Sequence, residues 1–545
     1  MKTKILPILI VCLVLGIGLG TVSQAEEVIL QRPEPGPRFW GHSVAISGDA
    51  FIAGATERGR DGEIHIFVGN GRGDWEQQAE IISEDFALRD WYGYAVGIDG
   101  NTAIVGAYED GGQGKDQGGG IGEGPGFVYV YVRDGESWAK QTKLGAGDGA
   151  PIDRFGNSVD IDEDTIVAGA PFHDAAGENS GSAYIFVRNG NKWEEKAKLI
   201  ASDGAEGDRF GWEVRVAGDT AIVGSPLDDD AGSKSGSAYV FVRNADGTWT
   251  EQAKLTAGDA EKGDNFGVSV DISELAVNAY AIVGAYWSDD AGDKSGSAYI
   301  FVRNGDTWTQ QAKLTASDAE AKDNFGQSVA IDVNRAIVGS PLDDGKVQTD
   351  SGSAYSFLRI GSDWVEQVKV EAKGVLKDDG SDPLTHGDNY GYAVAIEGDF
   401  AAVGARWDNV DLATDQGSVY IYDTKEDLKI SLSVEPSSSL VTTTLGGIKR
   451  SALLQNFPNP FNPETWVPYV LAVDAPVTIA IYNVRGQLMR QLDLGTQQAG
   501  SYLSRKNAAY WDGKDQLGHP VSSGIYFYTL KADSFQASRR MVILK

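Results

Sequence analysis

The sequence predicts an all-β protein: a seven-bladed β-propeller followed by a small antiparallel β-sandwich. Three observations carry that expectation. An aromatic–glycine landmark recurs seven times, at Trp40-Gly41, Tyr92-Gly93, Phe155-Gly156, Phe210-Gly211, Phe266-Gly267, Phe325-Gly326 and Tyr390-Gly391. A second landmark, Gly-Ala or Gly-Ser, follows each one at Gly54, Gly106, Gly169, Gly224, Gly284, Gly339 and Gly404. Between them run short stretches rich in β-branched and aromatic residues, bounded by Gly and Asx turns, and no long helical pattern interrupts them.

The chain begins with Met1-Lys2-Thr3-Lys4, an apolar run from Ile5 to Gly20, and Ser23-Gln24-Ala25 before Glu26. A charged start, an apolar stretch and a small-residue boundary predict a signal peptide over 1–25, cleaved between Ala25 and Glu26. No other segment is apolar and long enough for a transmembrane helix, so none is expected in the mature chain. The single cysteine, Cys12, lies within that segment. The mature chain therefore has no disulfide, no thiolate metal site and no cysteine nucleophile.

Residues 26–423 carry the repeats. Each reads as four strands. In the third, Phe155 to Ile161 is the first strand, Asp162 to Asp164 a tight turn, Thr165 to Ala170 the second, Ser182 to Val187 the third and Trp193 to Ile200 the fourth. The third strands are apolar on both faces, as packing between two neighbouring sheets requires. The seventh repeat stops after Ser418 to Tyr422 and has no Trp-containing fourth strand. Residues 28–31, Val-Ile-Leu-Gln, are expected to supply it and close the ring.

Residues 424–452 are rich in Ser, Thr and Gly and read as an exposed linker. Alternating runs at Val477 to Tyr482 and Gly524 to Leu530, with turns at Arg485-Gly486 and Trp511-Asp512-Gly513, predict a small sandwich over 453–545.

The Phe-Gly and Gly-Ala-Pro landmarks (Gly169-Ala170-Pro171 is a literal instance) resemble the FG-GAP repeats of integrin α-subunit propellers. Residues 266–314 resemble the bacterial FG-GAP family more closely through Phe-Gly-x-Ser-Val, Gly-Ser-Ala-Tyr-x-Phe and Trp-x-x-x-x-Lys-Leu. The integrin-type Asp-x-Asp-x-Asp-Gly calcium loop is missing, because the first turns, such as Ile46 to Asp49, have too few oxygen ligands. Residues 453–545, with Asn456-Phe457-Pro458-Asn459-Pro460 and the ending Arg539 to Lys545, resemble the C-terminal sorting domain of type IX secretion substrates. They also resemble the Ig-like domain of flagellar hook-capping proteins. That likeness implies outer-membrane transit by the secretion machinery, and a secreted or outer-surface location.

The formal net charge is −31, and all of it lies in the repeat region, since residues 453–545 carry three more cationic than acidic side chains. Such a surface excludes nucleic acid as a partner. The strand 2–3 and 4–1 loops share one face and hold Asp228, Asp230, Asp289 and Asp290, where Ca²⁺ could bind, although no cofactor is required. Solvated Asx turns are the alternative use of these acids. Beside them stand Tyr108, Phe172, Trp287 and Trp407, which could stack on a sugar ring or simply pack. The five histidines are scattered, and neither a His-Glu-x-x-His nor a Gly-x-Ser-x-Gly motif occurs. The run Gly118 to Gly124 precedes no helix and makes a poor phosphate cradle. The expectation is a non-enzymatic, adhesin-like interaction protein with an extracellular protein or glycan partner. A lectin, and then a polysaccharide hydrolase or lyase, are the alternatives.

Overall fold

The computed structural model describes residues 28–30, 39–56, 62–69, 75–82, 90–111, 124–274, 279–344, 350–371, 387–398, 400–408 and 417–424, together with parts of 452–543. The expected signal segment with Ala25 and Glu26, Gln31, the interior of the linker and residues 118–123 lie outside the described residues. Every element among the described residues is a strand, so no helix there is long and apolar enough to cross a membrane.

Among the described residues, the repeat region forms seven four-stranded antiparallel sheets. The third sheet is typical: Val159–Asp162, Thr165–Ala170, Ser182–Asn189 and Lys192–Leu199 pair in chain order. The seventh consists of Tyr390–Glu397, Phe400–Ala405 and Ser418–Asp423, with Val28–Leu30 on its outer edge in the register Val28 to Ile421. Each first strand lies against the first strands of the sheets before and after it, and Tyr390–Glu397 lies against Trp40–Ser47 of the first sheet. The cycle is therefore continuous across the join between its two ends.

Both landmarks have a packing reason. The aromatic of each Phe-Gly pair is buried edge-on against two rings of the third strand, as Phe155 is on Tyr184 at 5.5 Å and on Phe186 at 5.9 Å between ring centroids. The glycine of the Gly-Ala landmark is where neighbouring sheets touch backbone to backbone. A Cβ on Gly169 would lie 2.0 Å from the Gly211 carbonyl oxygen, and one on Gly404 would lie 2.1 Å from that of Gly41. The second of these contacts joins the seventh sheet to the first.

In the third sheet the first strand begins at Val159, four residues later than the landmark suggests. Arg154 and Gly156 both have positive φ, 58° and 87°, which interrupts the ladder. In the first, second and seventh sheets the strand starts at the aromatic itself, and a bulge absorbs the same irregularity. The outer-strand tryptophans bridge sheets: the indole N–H groups of Trp138, Trp193 and Trp308 donate to Gln78, Gln141 and Gln252 of the preceding sheet at 2.9, 2.9 and 3.0 Å.

The C-terminal residues form a four-stranded sheet ordered Leu488–Gln497, Ala475–Asn483, Gly524–Ala532, Phe535–Ile543, with a three-stranded and a two-stranded sheet beside it. Val477, Ile479, Ile481, Trp511, Tyr528, Leu530 and Met541 make one core, and the buried indole of Trp511 donates to the Lys514 carbonyl at 2.8 Å.

Candidate functional site

The first strands line an axial channel that widens into two cavities of about 200 Å³ each. Its middle is charged. Arg215 makes an ion pair with Glu213 at 2.5 Å and lies 3.9 Å from Asp271. Asp160 accepts the Val216 amide at 2.8 Å, and Asp271 accepts that of Ile331 at 2.6 Å. Burial pushes Asp160 up to about 7 and Asp271 up to about 6, and Arg215 opposes both shifts. At the end nearer the first turns, burial pushes Glu397 up to about 7, helped by Asp332, Asp99 and Asp162. Those turn aspartates tie sheets together: Asp99 accepts the Glu163 amide, Asp162 that of Gly218 and Asp332 that of Gly398, at 2.6–2.8 Å.

The opposite mouth is aromatic and cationic. It is built at the residue preceding each aromatic–glycine pair, which has positive φ in all seven sheets: Phe39, Trp91, Arg154, Arg209, Asn265, Asn324 and Asn389. Asparagine tolerates this conformation, whereas Phe, Trp and Arg are strained there. Arg154 lies over the rings of Tyr108 and Phe172, 5.2 and 4.2 Å from their centroids. Arg209 lies over Phe172 at 4.2 Å and Trp212 at 5.8 Å. Trp91 stacks on Tyr108 at 5.7 Å. Across the mouth, Arg406 covers Tyr392 at 3.5 Å and Trp407 at 4.5 Å, and Lys294 covers Trp287 at 4.2 Å. His42 packs between Tyr94 and Tyr392. Burial, with Arg406 nearby, pushes its imidazole down to about 3, so it is neutral.

The four aromatics singled out from sequence thus stand on this face, but not in one cluster. Tyr108 and Phe172 share Arg154, whereas Trp287 and Trp407 each stand with a different cation. Tyr108 is buried and the other three are half-buried. Sequence reasoning passed over Trp91, Arg154, Arg209 and Arg406. For Trp91, Arg154 and Arg209 the available signal is a bulky residue directly before the aromatic–glycine pair, where other repeats carry Asn; Arg406, just after Gly404-Ala405, lacks that signal.

The acidic loops are bridged by lysines from the fourth strands. Lys254 reaches Asp203 at 2.7 Å, Asp228 at 3.1 Å and also Asp230, while the Tyr239 hydroxyl donates to Asp228 at 2.7 Å. Lys313 reaches Asp259 at 2.6 Å and also Asp290. Asp289 instead caps its own loop, accepting the Lys294 amide at 2.7 Å. The four aspartates are therefore divided between two sheets, and Ca²⁺ at Asp228 and Asp230 would have to displace an ammonium group.

One constellation has the outline of a hydrolytic triad. Ser182 Oγ is 3.3 Å from His173 Nδ1, and His173 Nε2 is 3.6 Å from Asp148. Ser182 is fully buried, and Lys198 Nζ lies 3.2 Å from the same His173 Nε2. A substrate carbonyl has no approach to that hydroxyl.

A cycle of four-stranded sheets with an axial channel and a decorated face defines a propeller-like repeat protein. The FG-GAP repeat description matches six segments, 75–131, 138–186, 193–241, 249–301, 308–357 and 364–422, together more than half of the chain. The chain belongs to the FG-GAP repeat family. Each matched segment runs from the fourth strand of one sheet to the third strand of the next, so consecutive repeats interlock across sheets. The FlgD Ig-like domain description matches residues 465–536. Integrin alpha-6 of Gallus gallus is 31% identical over 123 residues, which is 21% of this chain and 11% of that protein. The chain thus spans about a tenth of the length of the curated relative it matches.

Proposed function

We propose that this chain is an exported, secreted or cell-surface interaction protein, in which a seven-bladed FG-GAP propeller binds an extracellular protein or glycan at the channel mouth. The C-terminal Ig-like domain then acts as a sorting domain, of the type IX kind, for passage through the outer membrane. The observation that carries the binding reading is the strained, cation-rich cluster of Trp91, Arg154 and Arg209 around Tyr108 and Phe172. Strain of about 1–3 kcal/mol per residue persists where the surroundings hold it, and it clusters at binding sites. On a chain of net charge −31, this face offers four cationic side chains stacked on rings. A carboxylate or sulfate of a partner suits it: Arg154 lies 3.9 Å from Glu109 and Arg406 donates to Asn389 at 3.2 Å, and the remaining guanidinium N–H groups would bond the anion while their faces rest on aromatic rings.

The test is an array of acidic and neutral glycans and of extracellular proteins, probed with the chain and with an Arg154→Ala/Arg209→Ala variant. Retention of an acidic ligand that falls at least about tenfold in the variant supports the reading. Retention equal in both would place binding elsewhere. The lectin reading rests on Trp287 beneath Lys294 and on Trp407 beneath Arg406; it predicts loss of a glycan ligand on Trp287→Ala/Trp407→Ala. Calcium on Asp228 and Asp230 would add affinity only by displacing Lys254.

A further inference from the structure

The first sheet departs from its siblings at one place. In the second to sixth sheets a third-strand tyrosine faces a fourth-strand lysine: Tyr129 and Lys143, Tyr184 and Lys198, Tyr239 and Lys254, Tyr299 and Lys313, Tyr355 and Lys369. In the third to sixth of these, a buried serine stands two residues before the tyrosine, as Ser182 does before Tyr184. In the first sheet all three positions change together. Serine becomes Glu63, tyrosine becomes His65 and lysine becomes Glu80, and His65 faces Glu80 in the register. A hydroxyl, a phenol and an ammonium give way to two carboxylates and an imidazole.

We propose that Glu63, His65 and Glu80 form a binding site for a divalent first-row transition metal ion of the Zn²⁺ class. One ligand atom from each of the three lies within 4.8 Å of the other two. His65 Nε2 is 2.9 Å from Glu63 Oε1, and both residues are buried, while Glu80 is exposed. The second ring nitrogen of His65, Nδ1, is buried without a hydrogen-bond partner. A metal bound by both Nε2 and the Glu63 carboxylate takes the place of the proton these two share, and Nδ1 then keeps the ring's N–H. One imidazole and two carboxylates suit Zn²⁺ or its neighbours, whereas Ca²⁺ takes oxygen ligands only. Three protein ligands with one of them at the surface leave a position for water or for a donor from a partner. All three residues stand on paired strands rather than loops, which holds their spacing.

The sibling sheets supply the control. The variant Glu63→Ser/His65→Tyr/Glu80→Lys writes the residues of the third sheet into the first, and leaves the acidic loops untouched. Chelator-treated full chain is titrated with Zn²⁺ by calorimetry, and with Co²⁺ by visible absorption. The expected result is one saturable equivalent, d–d bands for Co²⁺, and a melting temperature that rises with free Zn²⁺. The sibling-sequence variant should fold and lose that equivalent, and His65→Gln should weaken it at least about tenfold. Equal Zn²⁺ uptake by the parent and the sibling-sequence variant would assign any binding to general surface acidity and overturn the proposal. So would the absence of a saturable equivalent in the parent.

Discussion

Replacing Gly224 by alanine tests the backbone contact that organises the ring. Gly224 lies in the extended strand Thr220–Ser225, where its conformation is open to any residue. On backbone entropy alone, alanine would be favoured there by about 0.5–1 kcal/mol. Packing reverses the sign. The new Cβ would lie 2.0 Å from the Gly267 carbonyl oxygen and 3.0 Å from its carbon. Relief requires the fourth and fifth sheets to part by about 1 Å, and neither side offers a flexible side chain to give way. Overpacking of this kind costs about 1–3 kcal/mol, occasionally more, and a contact of backbone against backbone sits at the upper end. The net expectation is a loss of about 2–3 kcal/mol. Gly247→Ala is the control: its φ is 85° and nothing lies within 4 Å, so it bears only the left-handed penalty of about 1–2 kcal/mol. Urea unfolding of the full chain, followed by tryptophan fluorescence, reads both. A Gly224→Ala protein as stable as the parent, or more stable than Gly247→Ala, would refute the account of the landmark.

Four further outcomes are expected. Lys254→Met leaves Asp203, Asp228 and Asp230 without their shared cation; it should cost about 1–3 kcal/mol in denaturation and create a Ca²⁺-dependent recovery that the parent lacks. Asp160 has a folded value near 7 against about 4 unfolded, so the folded chain binds the extra proton between those values. Its contribution to stability therefore rises as pH falls from 8 towards 5, and Asp160→Asn should flatten that slope in melts taken across the range. Arg209→Ala should leave the melting temperature within a few degrees of the parent while lowering ligand retention, because its guanidinium is stacked rather than ion-paired among the described residues. Removal of residues 453–545 should leave the propeller folded but trap it before the outer membrane, as fractionation of expressing cells would read; unchanged export would remove the sorting role.

The repeat architecture is legible in the chain because its signals are local. Strand, turn and landmark recur within about sixty residues, and each repeat restates the others. The missing tryptophan strand after Ser418–Asp423 is equally visible, and Val28–Leu30 pairs there. The site is less legible. Arg154 and Arg209 look like ordinary loop residues until their positive φ turns them onto Phe172, which belongs to a strand 2–3 loop of the third sheet. The acidic face likewise reads as a reservoir of charge. Asp203 and Lys254 stand 51 residues apart, and only the pairing of strands brings them to 2.7 Å.

The sequence by itself thus determined an all-β repeat fold, its excess of acid and its want of a catalytic motif, because composition and period are properties of the chain. Tertiary structure alone decided which charges remain available. Folding places lysines from fourth strands among the loop aspartates and lifts four stacked cations to the channel mouth. It also gathers two carboxylates and an imidazole in the first sheet, at positions that hold serine, tyrosine and lysine in the third to sixth. Coulomb interactions act over a few ångströms in space, and distance along a chain does not report them.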